Sequence, residues 1–598
     1  MPVVSPILQL QAGLQTLRSD LATVRPVMEV WADVQDLVQQ AQSSALTRPM
    51  LPENLLPHVV GYPSQTEIDA TIGRLERSFA LGPIRRNDFI ARNVSLWGGR
   101  VAVRQGKKRT NYRTLDHRAD VVGMFLAMCI RDSGQRAAVF FSYNRNNLFE
   151  ITLGCRRAGV GFTSIPSYLS AEQFLEKLEE EKAKGNRYKV LFFDSQSLSK
   201  VEPLLPLLES QGYAMVDIDS QHPSVLSYGS LIADIPKPRA QTPDAKPPPY
   251  PGPIMYSSGT TGNPKLISVK AAANVGAKAN KVFGIRQDDK NLVIGQLYHG
   301  GAYSWARGHL NRGGEVVVTE HSSLTLNPKA VLSDIEARGI TNFWVSPPWL
   351  QGLCDYLEKE PQEQGALSSL RAIYVGASHF HPALKRLAVE RFGEIVWENY
   401  ATTELGLIAL LRPEELSLRP ATVGRAAPET EIEIRDDQGE AVPLGTPGTI
   451  WVRNERTGGE FREGDDFGRL DADGYLTVLG RTVERIVFGK QTIYPREIEN
   501  ELMEMPGIQE CHVIGIPSPS PSSNPEPTVV VAVVLKKKVR LTEREIRDYL
   551  SARDGLSHIS GVPLTVVFVP SLPRKPYKVN YPILRDMVIQ RIQGHTAR

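Results

Sequence analysis

The sequence predicts an α/β protein with a large N-terminal α/β unit and a small C-terminal α+β module. Three observations carry that expectation. The chain has 598 residues, more than one compact core usually organises. Strand, helix and strand patterns alternate from Thr110 onward, which argues for a parallel sheet covered by helices on both faces. A compact mixture of helix and strand patterns then begins after Glu484.

Taken in order, apolar residues from Leu8 to Leu37 recur at spacings of three and four, the period of an amphipathic helix. Pro26 interrupts them, so two helices or one kinked helix are expected. This N-terminal extension, set at residues 1–79, reads as a helical arm packed on the body or docking a partner. The large domain, set at 80–483, shows a helical run from Tyr112 to Arg131 and the strand AAVFFSYN, then a helix, GVGFTSIP, KVLFFD and YAMVDID. The Pro-rich segment Lys237 to Pro253 can form neither helix nor central strand and reads as an exposed connector. The small domain, set at 484–598, has helices at YPREIENELMEM and TEREIRDYLSAR and strands at ECHVIGIP, TVVVAVVL and LTVVFVP. There is no internal repeat.

Composition excludes several classes. Apolar residues at 41% and charged residues at 23% match ordinary soluble domains, against global disorder or a membrane bundle. A formal charge of +3 gives no polyanion-binding field, which argues against nucleic acid as a partner. Apolar runs such as Thr528 to Leu535 fall short of the ~20 residues of a spanning helix, so no membrane span is expected. The N-terminus lacks a basic stretch before an apolar run, so a cytoplasmic location is expected. Cys129, Cys155, Cys354 and Cys511 lack metal-ligand spacing and read as structural.

The most informative segment is YSSGTTGNPK, Tyr256 to Lys265. Ser257, Ser258, Gly259, Thr260, Thr261 and Gly262 are consecutive: glycines let the backbone wrap an anion, amides and hydroxyls donate to phosphate oxygens, and Lys265 adds positive charge. Pro264 and Leu266 flank that lysine where a Walker loop needs Gly and Ser or Thr, so this is not a P-loop NTPase.

SSGTTGNPK resembles the phosphate-binding signature of the adenylate-forming superfamily, which includes acyl- and aryl-CoA synthetases, peptide-synthetase adenylation domains and luciferases. ENYATTELG, Glu398 to Gly406, is similar to the family's Tyr-Gly-x-Thr-Glu element, with Ala401 where Gly is usual. The resemblance implies that Glu398, Asn399 and Tyr400 line the nucleotide site, with Tyr400 stacked on adenine. It further implies Thr403 on the α-phosphate and Glu404 on Mg²⁺. In GDDFGRLDADGYLTVLGR it makes Asp466 the ribose ligand and Arg481 a further donor to that sugar, with Asp465 a competitor; DADGYL reads as a hairpin turn. Gly424-Arg425 matches a structural landmark of the family. YVGASHF resembles a strand end lining the adenine and acyl sites, with Gly376, Ala377 and Ser378 nearest the ligand.

In QLYHGGAYSW, His299 stands in the aromatic-His pattern of acyl- and aryl-CoA synthetases, where amino-acid-activating members place an Asp. An α-ammonium group without that carboxylate would be poorly compensated, which disfavours an ordinary amino acid. Tyr298, Tyr303 and Trp305 hint at a flat or apolar acyl site. LPRKPYKVNYPILR resembles the terminal element bearing the mobile catalytic lysine, assigned to Lys578 with Lys575 in reserve. The hinge acid is Glu484 where Asp is commoner, and Lys490 replaces a glycine of the loop that approaches pantetheine.

The resemblance implies a multi-sheet N-terminal domain with a mobile C-terminal domain, and ATP, Mg²⁺ and coenzyme A as cofactors. The implied reaction is activation of a fatty or aryl acid as acyl-AMP and transfer to a thiol. The other readings are loading of a carrier-protein phosphopantetheine, transfer to an amine, and a nucleotide-binding pseudoenzyme or assembly subunit.

Overall fold

The computed structural model describes residues 6–22, 27–43, 51, 64–79, 88–130, 135–234, 250–257, 265–268, 282–320, 325–489, 491–517, 526–559, 561–575 and 578–596. A nine-stranded sheet and a seven-stranded sheet, both mainly parallel, form the large N-terminal domain with a four-stranded antiparallel sheet. In the nine-stranded sheet, Lys290–Val293, Asn342–Val345, Ala372–Val375 and Val396–Thr402 are parallel neighbours in the order 290, 342, 372, 396. Asn342–Val345 and Ala372–Val375 are buried at every position, which explains the apolar runs FWV and AIYV: helices cover both faces.

The expected alternation is present. Asn111 starts helix Tyr112–Cys129 by accepting from the Thr114 amide at 2.8 Å. The following strands Gln135–Phe141, Gly161–Ser164, Asn186–Phe193 and Ala214–Asp217 join the seven-stranded sheet. Helix Tyr112–Cys129 is fixed to helix Asn147–Ala158 by the fully buried Arg157, whose guanidinium meets Asp88 at 2.8 Å and Asp116 and Asp120 at 2.6 Å each. Three carboxylates around one buried guanidinium satisfy its fork of donors.

The N-terminal extension folds as α1 (Pro6–Leu21), α2 (Val27–Ser43) and α3 (Gln65–Phe79). Two helices replace the single periodic run, as the proline predicts; Pro26 itself and most of the Pro-rich connector lie outside the described residues. The third helix was not anticipated. Ile68, Ile72 and Leu75 place its apolar stripe in the same contiguous core as Leu10, Leu14, Val34 and the helices of the large domain. Arg18 of α1 bridges Asp69 and Glu76 of α3.

In the small domain, strands Ile508–Ile516 and Thr528–Leu535 pair antiparallel, and Leu564–Phe568 adds in parallel. Val529, Val531 and Val533 face one apolar cluster and Val530, Ala532 and Val534 the other, so TVVVAVVL is apolar throughout because both faces are covered. Among the described residues no helix is long and apolar enough to cross a membrane. All four cysteines are free, and burial raises the thiol pKa of Cys155, Cys354 and Cys511.

One buried carboxyl gives the large domain a measurable pH response. Glu150, 1% exposed, is pushed up to about 7 by burial, against the pull of Arg118 at 3.5 Å. With its folded pKa above the unfolded value, its favourable contribution is complete at low pH and is lost as pH rises through about 7. Glu150→Gln should remove that loss, on the order of 3 kcal/mol between about pH 4 and 8. Denaturant midpoints at the two pH values check this: the variant should be the more stable at the higher pH and equal to wild type at the lower.

Candidate nucleotide site at the domain boundary

The candidate site residues gather where neighbouring strands end. Ala372–Val375 runs into Gly376, Ala377 and Ser378; Val396–Thr402 runs into Thr403 and Glu404; Lys290–Val293 leads to His299. Carboxyl ends of parallel strands are where open α/β sheets hold ligands. A Cβ on Gly376 would stand 2.8 Å from Asn399 Nδ2, so these two strand ends touch only because the side chain is absent. Ala377 has φ +76°, a left-handed conformation that costs a non-glycine residue about 1–3 kcal/mol. That strain sits in the wall of a cavity of about 240 Å³ between the two domains.

Asp466 is the centre of the large-domain wall. The Tyr400 hydroxyl donates to its Oδ2 at 2.6 Å, and Arg481 Nε lies 3.3 Å from its Oδ1. Asp466 and Arg481 are paired across adjacent antiparallel strands, Arg462–Leu470 and Leu476–Arg481. Asp466 is 3% exposed, whereas the Asp465 side chain is 81% exposed on the opposite face, which removes the competitor from the cavity. Burial, reinforced by the Asp466 charge, raises the Tyr400 phenol and keeps it a donor. The turn Asp471 to Gly474 is the expected hairpin.

Glu398 is already engaged. Lys385, on helix Pro382–Phe392, places Nζ 2.6 Å from its Oε2 and donates to the Thr422 carbonyl at 2.7 Å. Burial pushes the lysine down and the glutamate up, each opposed by the partner's charge. Lys385 thus ties the helix to the strand carrying Asn399 and Tyr400, and to the segment before Gly424. Gly424, the landmark expected to be structural, has φ +89°, and a Cβ there would stand 1.8 Å from the Leu410 carbonyl oxygen.

The small domain supplies the other wall. Leu572, Arg574 and Val579 line the cavity, and hairpin Arg574–Lys575/Lys578–Val579 pairs Lys575 with Lys578. The strand bearing Lys578 therefore borders the space that Tyr400 and Asp466 face. Arg574 meets Glu510 at 2.7 Å, and His512 meets Glu499 at 2.7 Å. Burial would favour a neutral Glu499, but His512 and the Val513 amide hold it at about 2, and the same carboxylate raises His512 against its own burial. Helix Pro495–Glu504 docks on helix Pro382–Phe392, with His379 Nε2 2.7 Å from Asn500 Oδ1 and Arg386 paired to Glu504. Burial, with Arg496 nearby, pushes His379 down to about 3, so it is neutral near pH 7. Lys385, Arg496, His379 and His512 were not singled out from the sequence: a lone cation or histidine on an amphipathic helix or strand reads as surface until its burial is known.

Other expected residues stand apart. Thr403 is half-buried and Glu404 exposed, on the turn just past the cavity wall. His299 is half-buried at the start of helix Gly300–Arg312 and packs its ring 4.8 Å from Tyr298. The aromatic side chains around it form core contacts. Trp305 stacks on Tyr374 at 4.1 Å, and Tyr303 packs edge-on to Phe162 at 5.6 Å. Ser257 and Lys265 pair in backbone register at the ends of the antiparallel strands Ile254–Ser257 and Lys265–Ser268. Ser258, Gly259, Thr260, Thr261, Gly262 and Lys490 lie outside the described residues. Among the described residues no cluster of three or more His, Cys, Asp or Glu could hold a metal ion.

A family model for AMP-binding enzymes matches residues 90–458, and one for the AMP-binding enzyme C-terminal domain matches residues 497–576. An indoleacetate–CoA ligase of Aromatoleum aromaticum is 28% identical over 84% of this chain and 98% of its own. Two solved structures share the fold. The amide bond synthetase McbA of Marinactinospora thermotolerans has TM-score 0.69 and 24% identity over 83% of this chain and 99% of its own. ATP-bound MatB of Rhodopseudomonas palustris has TM-score 0.70 and 20% identity over 84% and 99%. With the fold, the strand-end site and both family models in agreement, the chain belongs to the AMP-binding enzymes of the adenylate-forming superfamily, which activate carboxylic acids with ATP by way of acyl-AMP.

Proposed function

We propose that this enzyme activates a fatty or aryl acid, rather than an ordinary amino acid, and passes the acyl group to a thiol, most simply coenzyme A. The observation that carries this reading is the single cavity in which Tyr400, Asp466 and Arg481 of the large domain face the hairpin bearing Lys578. Tyr400 offers a flat face for adenine, and Asp466 and Arg481 offer an acceptor and a donor for a ribose diol. The division at residues 79/80 and 483/484 is part of the same proposal, as are the roles given to Ser258, Gly259, Thr260, Thr261 and Gly262.

A carboxylate is a poor acyl donor because its leaving group would be oxide. In the first step a carboxylate oxygen forms a bond to the α-phosphorus of ATP as the bond to pyrophosphate breaks, and the electron pair leaves on pyrophosphate. Lys578, Thr403 and the donors from Ser257 to Thr261 stabilise the charge in flight. Glu404 suits Mg²⁺, a hard cation that takes one or two carboxylates and completes its shell with phosphate oxygens; bound there, it would neutralise phosphate charge. Glu404 is exposed and forms no ion pair among the described residues. The thiol then attacks the acyl carbon and AMP leaves. Coenzyme A as acceptor is supported by the full-length likeness to a protein named as a CoA ligase, and the choice of acid by His299 in place of a carboxylate.

Pyrophosphate release measured across fatty, aryl and amino acids, with mass spectrometry of the product trapped by coenzyme A, tests the reading. A thioester from a fatty or aryl acid is expected; release driven only by amino acids would overturn the choice of acid. Lys578→Ala should slow adenylate formation by ~10²-fold or more while ATP binding persists, because the lost contact belongs to the transition state. Lys385→Met leaves the buried Glu398 without its cation and should cost about 3–5 kcal/mol of stability. Adding Glu398→Gln should recover most of that loss in denaturant melts.

A further inference from the structure

Beyond the turn that carries Thr403 and Glu404 stand two arginines, Arg456 and Arg307, with no task in the scheme above. The loop after strand Gly448–Arg453 clasps that turn: Asn454 Nδ2 donates to the Leu405 carbonyl at 2.9 Å, and the Thr457 hydroxyl accepts from the Asn454 amide at 3.0 Å. Arg456 consequently lies flat along the backbone at Gly406. Its Cβ and Nε would each be 3.5 Å from a Cβ at that glycine, which itself has φ +76°. Arg456 Nε is buried with no hydrogen-bond partner, and Arg456 forms no ion pair among the described residues.

The charged groups around Arg456 do not balance. Arg307 projects from helix Gly300–Arg312, its guanidinium 6.0 Å from the Tyr303 ring centroid, and Glu404 is the carboxylate nearby. Burial and the Arg307 charge weaken the hold of Arg456 on its proton, and Glu404 opposes them. Two guanidinium groups thus share one exposed carboxylate, which on the proposed reading is committed to Mg²⁺. Like charges held partly out of water call for an anion. A planar donor fork with an orphaned Nε suits the paired oxygens of a phosphate.

The place of Arg456 on the far side of the turn from Tyr400 points to the outer phosphates. Tyr400 and Asp466 mark the nucleoside end, Thr403 and Glu404 follow on the turn, and Gly406 with Arg456 lies beyond them. Resting on the adenylation reading, we propose that Arg456, seconded by Arg307, binds the outer phosphates of ATP and takes up the charge of pyrophosphate as it departs. Neither arginine gains or loses a proton in the step.

The test uses the full chain and an acid that supports wild-type pyrophosphate release. ATP–pyrophosphate exchange should show the KM for pyrophosphate rising about 10- to 100-fold in Arg456→Ala, the scale of a lost charge-assisted hydrogen bond. Arg456→Lys should recover part of the loss, and Arg307→Gln should give a smaller rise. Calorimetric titration with magnesium pyrophosphate should show the same weakening without turnover, while AMP affinity stays within about twofold of wild type. A folded Arg456→Ala protein with unchanged pyrophosphate affinity overturns the proposal. So does an equal loss for AMP, which would move the contact to the nucleoside end, and so does a KM rise confined to the acid. Exchange by wild type with no effect of the variants removes only this inference; no exchange by wild type with any acid removes the adenylation reading beneath it.

Discussion

A buried carboxylate has to be satisfied, and the candidate site is organised by satisfying one. Asp466 is 3% exposed; its Oδ2 accepts the Tyr400 hydroxyl, and its Oδ1, which has no hydrogen bond, is compensated by the charge of Arg481 at 3.3 Å. Those partners come from different sheets: Tyr400 from the end of a strand in the nine-stranded sheet, Arg481 from the last residue of the neighbouring antiparallel strand. Arg481 also begins the short helical turn Thr482–Glu484, donating its amide to Glu484 Oε2 at 3.3 Å. The start of the small domain is therefore placed by the same acid that faces the cavity. An uncompensated carboxylate there would cost several kcal/mol. A ribose diol brings two hydroxyl donors, so a nucleotide can take over from the tyrosine without leaving Asp466 bare.

Strands such as KVLFFD and TVVVAVVL were legible because burial on both faces writes itself into composition. The site motifs were legible as types and not as contacts. Asp465 and Asp466 are adjacent acids in one motif, and alternation puts them on opposite faces, but which face meets the cavity depends on register. Pairing of Asp466 with Arg481 settles it. Glu398 shows the converse: its place in the motif pointed to the ligand, while its charge is consumed by Lys385, thirteen residues earlier on a helix whose other polar residues are solvated. Charge type is visible in a sequence, whereas burial and partner choice emerge only from the fold. The aromatic residues near His299 show the same dependence on the fold. Rings that suit a flat ligand suit one another equally well, and Trp305 found Tyr374.

The polarity of the domain boundary follows from what must happen across it. The two domains keep separate apolar cores, with Ile486, Val529 and Leu550 in one cluster and Val345, Leu384 and Val396 in another. Across the boundary the close contacts include polar side-chain pairs: His379 with Asn500, Arg386 with Glu504, Arg469 with Glu497 at 2.9 Å, and Arg485 with Asp437 at 3.2 Å. Groups of this kind recover water when they part, so separation costs far less than breaking an apolar core. His379 and His381, pushed down to about 3 and about 4 by burial, stay neutral near pH 7 and add no charge to a boundary already holding Arg496. On the proposed reading, polar contacts of this kind can seat the Lys578 hairpin against the cavity and still let it part. If the acyl group passes to a second nucleophile, as proposed, one small domain needs that balance.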